Sequence, residues 1–219
     1  SGIRKLIIKY GIFKQSVNRK KILEKFFNKF PMLKNSEFYI FIGRLHDKKG
    51  CDIIIESVKK LKNNFKSKVL FVSPLTGSNY ELKLKNLINK YNLQNQIFIL
   101  DALFGDLKWG AIQASKAMVL ASHGENFGVS LVESLSFGKP VITTTKVNIF
   151  KEIKKFKAGF IANNNVESFT KTLNKFNQLK KKDLNKLKIN SLNCFKKNFD
   201  LSSTKNSLGS ILIKKLKHN

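Results

Sequence analysis

Two acidic residues in one segment of the sequence have a spacing that could hold a sugar-bearing ligand between them. Glu125 follows a short apolar run, and Glu133 comes eight positions later, inside a predicted helix. The neighbours of Glu133 are mostly apolar, and a carboxylate in apolar surroundings needs a hydrogen-bond partner. Helical side chains lean towards the amino end of their helix, so we expect Glu133 to lean back towards Glu125. Carboxylates accept hydrogen bonds from sugar hydroxyls, which makes this pair a candidate sugar site.

The residues between the two glutamates are suited to an anion. The backbone amides of residues 127–130 open the predicted helix, and a helix amino terminus attracts phosphate groups. Gly128 has no Cβ, which lets a ligand approach that backbone closely. Carboxylates on both sides of a phosphate site match a nucleotide-sugar. On spacing alone a second interpretation stays open, in which Glu125 and Glu133 are ordinary loop and helix charges.

A second candidate segment follows the first predicted strand. Residues 43–50 read Gly-Arg-Leu-His-Asp-Lys-Lys-Gly. The G-x-G-x-x-G pattern of dinucleotide-binding strands is absent here, which argues against a dehydrogenase. Arg44 can grip phosphate oxygens through two parallel hydrogen bonds and Lys49 adds a point charge, so the two could neutralise a diphosphate without a metal. Taken alone, the segment also fits a solvated loop.

Apolar runs and helical periodicities alternate along most of the chain from residue 38 onward. Strands that alternate with helices pair in parallel through right-handed crossovers, with helices on both faces. The predicted fold class is therefore α/β, a Rossmann-like doubly wound parallel sheet of about six strands. Such a sheet binds ligands outside the carboxyl ends of its strands, where both candidate segments fall. The predicted strands are 38–42, 68–73, 96–100, 117–121, 140–144 and 159–162, and the predicted helices are 52–66, 79–91, 106–114, 128–137, 166–179, 181–198 and 202–217.

The sequence is strongly basic, with 42 Lys and Arg residues against 14 Asp and Glu residues and a net charge of +28. Such a charge suggests nucleic acid or an anionic membrane surface as a partner. The lysines are spread along the chain and Asn and Ile are also abundant, which is typical of codon bias. We therefore discount nucleic acid and keep association with the inner face of a membrane as a hypothesis.

The remaining composition indicates an ordinary cytoplasmic protein. No apolar run approaches the roughly 20 residues of a membrane-spanning helix. The two cysteines, Cys51 and Cys194, lie far apart and indicate neither a disulfide framework nor a metal cluster. Cys51 begins a predicted helix, where the pKa of a thiol can fall, but we expect it to pack. We also expect Trp109 to pack in the core, and His123 to be a loop residue without a direct ligand role.

Residues 41–50 and 122–143 closely resemble the two signature blocks of the family 4, or group 1, glycosyltransferases. The second block has the E-x7-E motif, formed by Glu125 and Glu133, and a G-x-P-V-I tail at 138–142. The blocks occur in the family's order, and the resemblance covers about residues 38–200. It implies the carboxyl-terminal, nucleotide-sugar-binding half of a GT-B hexosyltransferase of polysaccharide biosynthesis. Such enzymes retain the anomeric configuration and need no cofactor or active-site metal.

The resemblance also implies roles for individual residues. Arg44 and Lys49 would hold the donor diphosphate, and the loop near Leu103 would meet the base. Glu125 would contact the transferred sugar as the catalytic residue, and Glu133 would bind the ribose hydroxyls. The other donor-binding residues that it implies are Gly43, Asn126, Phe127, Gly128 and Val129.

In the family, an amino-terminal Rossmann-like domain precedes these blocks and binds the acceptor, a glycan or a lipid-linked sugar. Here about 37 residues precede the first predicted strand, among them a predicted strand at 6–8 and a predicted helix at 18–30. We expect residues 1–37 to be a linker or the tail of that missing domain and residues 38–200 to form the donor-binding domain. Residues 201–219 would form a helix that packs back towards the missing domain.

Two other functions remain as alternatives to a transferase. One is a non-catalytic module that binds a nucleotide-sugar, and the other is a hydrolase or epimerase relative with the same fold. The presence of Arg44, Lys49, Glu125 and Glu133 favours the transferase over a degenerate binder, and no residues in the sequence support an epimerase.

Overall fold

A six-stranded sheet forms the centre of the protein in the computed structural model, which describes residues 10–61 and 64–202. Its strands are β1 (Phe38–Ile42), β2 (Lys68–Val72), β3 (Ile97–Leu100), β4 (Ala117–Leu120), β5 (Val141–Thr144) and β6 (Gly159–Ala162). The strand order is β3-β2-β1-β4-β5-β6, and all neighbouring pairs are parallel. This confirms the predicted α/β class and the doubly wound topology. The order reverses between β1 and β4, so the loops that follow these two strands form the crevice where such sheets bind ligands.

Helices cover both faces of the sheet. They are α1 (Arg19–Lys29), α2 (Cys51–Leu61), α3 (Asn79–Lys90), α4 (Gly105–Ala114), α5 (Val129–Ser136), α6 (Phe150–Lys155), α7 (Val166–Asn177) and α8 (Lys181–Asn198). The crossovers run outward from β1 in one direction and from β4 in the other, so right-handed connections place their helices on opposite faces. Helix α2 packs against α3 and α7, while α1 packs against α4 and α5 against α8. Because both faces are covered, the strands are continuous apolar runs.

None of the helices within the described residues is both long and apolar enough to span a bilayer.

Most predicted elements are confirmed, with ends that differ by one or two residues. The predicted helix 52–66 was wrong at its end, because α2 ends at Leu61 and the Phe65 ring packs in the core beyond it. Helix α6 was not predicted, since its six residues include a single buried side chain, Ile153, and show no helical period. The predicted strand at 6–8, and all but the first residue of the predicted helix at 202–217, lie outside the described residues.

Helix α1 packs into the same core as the sheet. Its residues Ile22 and Phe26 are fully buried. Helix α4 approaches α1 so closely that a Cβ on Gly110 would lie 2.3 Å from the Ile22 carbonyl oxygen. Asn18 caps α1 by accepting hydrogen bonds from two backbone amides, as polar residues do at helix starts. The boundary expected at residue 38 therefore does not separate α1 from the donor domain.

The two ends of the described chain meet beside the start of α5. The Ile12 amide donates to the Phe199 carbonyl at 2.9 Å, and the Leu201 amide donates to the Ile12 carbonyl at 3.1 Å. A Cβ on Gly11 would lie 2.2 Å from the Phe199 carbonyl oxygen, so the close pairing needs glycine there. This pairing brings the segment around residue 10 to the loop that carries Glu125.

Candidate functional site

The loop that follows β1 is tied to the end of β4, so the two candidate segments form one surface, here called the mouth of the sheet. The Ser122 hydroxyl donates to the Lys48 carbonyl at 2.7 Å. Gly50 ends the 3-10 turn Asp47–Lys49 with a φ of 65°. A Cβ at Gly50 would lie 2.2 Å from the Ala121 carbonyl oxygen. Glycine is therefore required for both the left-handed backbone and the close approach of the loop to β4.

The two predicted phosphate-binding cations of this loop differ in their surroundings. Arg44 is exposed, and its guanidinium has no hydrogen-bond or ion-pair partner within residues 10–61 and 64–202. Lys49 is partly buried and its ammonium is paired with the carboxylate of Glu125. Gly43 precedes Arg44 and extends the ladder, with its amide donating to the Val72 carbonyl at 3.1 Å. Arg44 is thus available to an anion, whereas Lys49 has to exchange Glu125 for one.

Glu125 is fixed by its backbone although it lies in a loop. Its amide donates to the Lys146 carbonyl at 3.1 Å, and its carbonyl accepts from the Asn148 amide at 2.9 Å. These bonds hold the loop after β4 against the connection between β5 and α6. The Glu125 side chain is 20% exposed, so its carboxylate can reach a ligand at the mouth.

The start of α5 offers backbone donors at the same place. Gly128 caps the helix in a left-handed conformation, with φ 68° and ψ 62°, and as a glycine it has no side chain to cap the amides that follow. Across the described chain, no acceptor is found for the amides of Gly128, Val129 and Ser130. Unsatisfied amides at a helix start, together with the helix dipole, favour an anionic ligand. The amides that were predicted to bind an anion are therefore left without another acceptor among the described residues, and the anion site stays a prediction.

Glu133 is held by a lysine that sequence reasoning missed. Glu133 is 8% exposed, and its Oε1 accepts a hydrogen bond of 2.6 Å from the ammonium of Lys108, on the first turn of α4. The same ammonium lies 4.5 Å from the centre of the Trp109 ring. Trp109 stacks on Phe137, with ring centres 5.6 Å apart. The predicted need of Glu133 for a partner is therefore met across two helices.

Phe127 presents its side chain to other aromatic rings. Its ring centre lies 4.4 Å from that of Tyr10 and 5.8 Å from that of Phe199, both in edge contacts. Its backbone is therefore the part that is able to face a ligand. Asn126, next to it, is exposed, and its side chain has no hydrogen-bond partner in the part of the chain that the structure describes.

The predicted base-binding loop follows β3. Leu103 is 6% exposed and belongs to the core, while its neighbour Phe104 is 77% exposed. The Asp101 carboxylate accepts from the Leu75 amide at 3.3 Å and fixes the start of this loop. A contact to a base near Leu103 would therefore involve backbone or the Phe104 ring. Val129, by contrast, is 44% exposed at the start of α5.

A second residue that was not predicted from the sequence, Asn164, holds the end of β4 and the loop that follows it. The Asn164 amide nitrogen, in the connection after β6, donates to the carbonyls of Ala121 and Ser122, each at 3.1 Å. Its oxygen lies 2.6 Å from Nδ1 of His123, the exposed histidine beside Glu125. Asn164 has no signal in the sequence, because its partners are more than forty positions away.

The residues expected to pack do so. Cys51 is buried, and burial raises the pKa of its thiol well above the usual range, so the helix start does not activate it. Trp109 is only partly buried, and it packs against the edge of the core, where it stacks on Phe137. In the described part of the chain, no group of three or more His, Cys, Asp or Glu side chains could hold a metal ion.

Comparisons with known proteins find a matching family and similar folds. The family model for glycosyl transferases group 1 matches residues 23–192. An uncharacterised glycosyltransferase of Methanocaldococcus jannaschii is 33% identical over 113 residues, which are 52% of this chain and 27% of that protein. The chain thus spans about a quarter of that relative's length.

Solved structures share the fold. A glycosyltransferase from Rickettsia africae superposes with a TM-score of 0.79 at 24% identity, covering 97% of this chain and 56% of that one. The Anabaena protein Alr3699/HepE in complex with UDP and glucose superposes with a TM-score of 0.78 at 17% identity, covering 97% and 56%. Because the family model covers most of the sequence and includes both candidate segments, the chain belongs to the group 1 glycosyl transferases.

Proposed function

We propose that the chain binds a nucleotide-sugar donor at the mouth of the sheet, and that the full-length protein transfers the sugar to a glycan or lipid-linked acceptor. One observation carries the proposal. An exposed Arg44 without a partner among the described residues and the unbonded amides that open α5 lie at one surface with two carboxylates, each paired with a lysine. This set has donors for a diphosphate and acceptors for hydroxyl groups on either side of it.

The diphosphate would be held by cations and backbone amides. Arg44 offers a fork of N–H groups, and the α5 amides add the positive end of a helix dipole. The incoming phosphate oxygens would compete with Glu125 for the Lys49 ammonium and draw it to the diphosphate. Such a set neutralises the diphosphate without an ion, so transfer that needs no active-site metal is part of the proposal.

Release of Glu125 from Lys49 would prepare the transfer step. The bond between the anomeric carbon and the diphosphate oxygen breaks, and the diphosphate leaves with the electron pair. The acceptor hydroxyl oxygen bonds to the same face of that carbon, and its proton passes to the departing diphosphate. Arg44, Lys49 and the amides stabilise the negative charge that develops, and the Glu125 carboxylate stabilises positive charge on the sugar. Bond formation on the same face retains the anomeric configuration.

The nucleoside would lie on the β3 side of the mouth. Glu133 has a carboxylate oxygen to accept from ribose hydroxyls, and the loop at 101–104 is near enough in the fold to meet the base. The UDP complex of the Anabaena structure supports a nucleoside diphosphate as the ligand class.

The acceptor would be bound by another domain of the full-length protein. The chain matches about half the length of the solved chains that it resembles. We expect the isolated chain to bind the donor without transferring sugar efficiently. A net charge of +28 also supports peripheral association with an anionic membrane, which sedimentation with phosphatidylglycerol vesicles would test.

The deciding experiment is calorimetry of the isolated chain with UDP, ADP and GDP, and then with a panel of the corresponding nucleotide-sugars, in the presence of EDTA. We expect one nucleoside diphosphate to bind, and its sugar conjugate to bind more tightly. Absence of binding by all three at millimolar concentration would refute the donor site. Loss of binding in EDTA would refute the metal-independent part. Transfer assays on the full-length protein separate an enzyme from a module that only binds.

A further inference from the structure

Lys108 contacts the helix that carries Glu133 directly, and it also contacts the ring of Trp109, its neighbour on α4, which stacks on the end of that helix. Its ammonium donates to Oε1 of Glu133 at 2.6 Å and lies 4.5 Å from the centre of the Trp109 ring. Trp109 is stacked in parallel on Phe137, the residue that ends α5, with an angle of 9° between the rings. The long lysine side chain is therefore confined by a charge contact at one side and a flat ring at another, both fixed by α5.

The pair leaves one oxygen of the carboxylate for a ligand. Within residues 10–61 and 64–202, no donor reaches Oε2 of Glu133. The exposed fractions of the Lys108 and Glu133 side chains are 22% and 11%, so the pair lies at the surface of the mouth with most of the carboxylate covered. A mostly buried carboxylate with a single bond has unused acceptor capacity, and a hydroxyl group is a donor of suitable size.

We propose that Lys108 is a positioning residue that holds Glu133 for the hydroxyl groups of a ribose, a role that rests on the proposed function. Lys108 occupies Oε1 and thereby selects one orientation of a side chain that has three rotatable bonds. It also places a positive charge 2.6 Å from the carboxylate, and hydrogen bonds that involve charged groups are the stronger ones. Lys108 thus gives the site its preference for a ribonucleotide over a nucleotide without the 2′ and 3′ hydroxyls, without itself contacting the ligand.

The chain contains a reporter for this contact. Trp109 is its single tryptophan, and the Lys108 ammonium lies over the ring. When a ribose hydroxyl bonds to Oε2 of Glu133, the charge distribution beside the ring changes while Lys108 stays on Oε1, and we expect the intensity of tryptophan emission to change. A ligand that lacks the hydroxyl groups leaves Glu133 and Lys108 in place.

The test compares each of UDP, ADP and GDP with its 2′,3′-dideoxy form in calorimetry, on the wild type, Lys108→Met, Lys108→Arg and Lys85→Met. Lys85 is the matched control, because its ammonium also bonds a buried carboxylate at 2.6 Å, that of Glu81, one turn before it on α3. For the nucleotide that binds, we expect Lys108→Met to lose about five- to tenfold in affinity for the ribose form and less than twofold for the dideoxy form. In Lys108→Arg, which keeps the charge, the ratio of the affinity for the ribose form to that for the dideoxy form should stay within about twofold of the wild-type ratio. Lys85→Met should leave the ratio unchanged.

The outcomes separate this role from a structural one. If Lys108→Met weakens both forms equally, or leaves their ratio unchanged, Lys108 does not position Glu133. An equal emission change in the wild type and Lys108→Met on binding the ribose form would overturn it as well. If Lys108→Met fails to fold, Lys108→Arg still decides the question. If Lys108→Arg binds the ribose form no more tightly than the dideoxy form, the charge of Lys108 does not have the proposed role. If the wild type binds none of the three nucleotides, the proposed function fails and this role fails with it. If the wild type binds but the ratios do not change, only this role is lost.

Discussion

The two lysine–glutamate pairs at the mouth have the same chemical groups, but one pair is carried by loops and the other by helices. Lys49 and Glu125 join two loops, with side chains that are 28% and 20% exposed. Lys108 and Glu133 join two helices, and their side chains are 22% and 11% exposed. Loops can rearrange around a ligand, whereas packed helices hold their side chains in place. The loop pair is therefore suited to exchange partners during a reaction, and the helix pair to recognise a constant part of the ligand.

The energetic consequences of breaking each pair also differ. Partly exposed ion pairs contribute little to stability, typically about 0–1 kcal/mol, so Lys49 can leave Glu125 for a diphosphate at low cost. Removing the partner of a carboxylate that is nearly covered costs more, because the charge stays behind without compensation. The substitutions below test this contrast by changing either the backbone that positions a pair or the charged side chains themselves.

Gly50→Ala should have the largest effect, because it disrupts the packing of the loop that carries Lys49 against the end of β4. The new Cβ would meet the Ala121 carbonyl oxygen at 2.2 Å in a left-handed backbone. We expect a loss of about 3 kcal/mol in the free energy of unfolding, measured by urea denaturation, together with loss of nucleotide binding. Gly77→Ala is the matched control. Its φ of 64° is almost the same, but no atom of the described residues lies within 4 Å of the new Cβ, so it should lose only about 1 kcal/mol. Equal losses in the two variants would show that the close approach is unimportant.

Arg44→Ala removes the cation that lacks a carboxylate partner among the described residues. We expect the affinity for a nucleoside diphosphate to fall by about 2 kcal/mol, since one charge-assisted contact is lost, and the affinity for the nucleoside alone to stay the same. Calorimetry with both ligands measures this difference. Lys48→Ala is the control, because Lys48 is exposed on the same loop and its backbone carbonyl, which the substitution keeps, accepts the bond from Ser122. A similar loss for the nucleoside would remove Arg44 from the phosphate site.

Lys139 is a half-buried lysine that has no carboxylate partner within residues 10–61 and 64–202. Burial, followed by the charges of Lys188 and Arg19, lowers the pKa of Lys139 to about 8. Below pH 8 the folded protein carries the full penalty of this charge. The penalty is relieved as the pH rises from about 8 to the unfolded value near 10.5, because only the unfolded state still binds the proton. Replacing Lys139 removes this penalty and so raises the free energy of unfolding, but it also removes the 2.9 Å hydrogen bond from Lys139 to the Ser115 carbonyl, which offsets part of the gain.

We therefore expect Lys139→Met to raise the free energy of unfolding by about 1–2 kcal/mol at pH 7. The gain should shrink by pH 9.5, and denaturation at the two pH values measures it. Lys171→Met serves as the control, since Lys171 is exposed and paired with Glu167 at 2.7 Å, and it should have no such pH dependence. A gain that is constant with pH would mean that the Lys139 charge is not the cause.

The two glutamates themselves should give the smallest and most specific effects. Glu133→Gln should weaken the nucleoside diphosphate and the full donor alike, by about 1 kcal/mol, because a charged acceptor becomes neutral. Glu125→Gln should not weaken the nucleoside diphosphate, since it releases Lys49, but should reduce the affinity gained from the sugar and the rate in the full-length enzyme. Calorimetry with both ligands decides between these patterns. Equal weakening of both ligands by Glu125→Gln would contradict the contrast between the pairs.

Most of the fold could be predicted from the sequence, because its signals are local. Continuous apolar runs mark the strands, and β1 and β6 were predicted with the bounds that the structure has. Helix α6 was missed because its one buried residue, Ile153, has meaning only against β5 and β6. Helix α1 was assigned to a linker because its amphipathic period does not say which surface it covers, and the groove beside Gly110 is visible only in three dimensions.

The candidate site was predicted in part, for the same reason. Glu125, Gly128 and Glu133 lie in one segment, and Arg44 and Lys49 lie in another, so each group could be read from adjacent residues. Lys108 could not be distinguished among 42 basic residues. Leu103 is in the expected loop, but its side chain is buried, since a loop assignment does not fix which neighbour faces the solvent.

The sequence by itself determined the types of group at the mouth, the local turns that display them and the alternation that makes the sheet parallel. Only the tertiary structure decided which charge meets which. Lys49 is 76 residues from Glu125 and Lys108 is 25 residues from Glu133, and both pairs form because the strand order places β1 beside β4 and packs the start of α4 near α5. The spacing of apolar residues along a strand or helix follows from backbone geometry, so it is similar in all folds built from these elements. Pairing across the chain depends on the packing of the whole core, which no short segment contains.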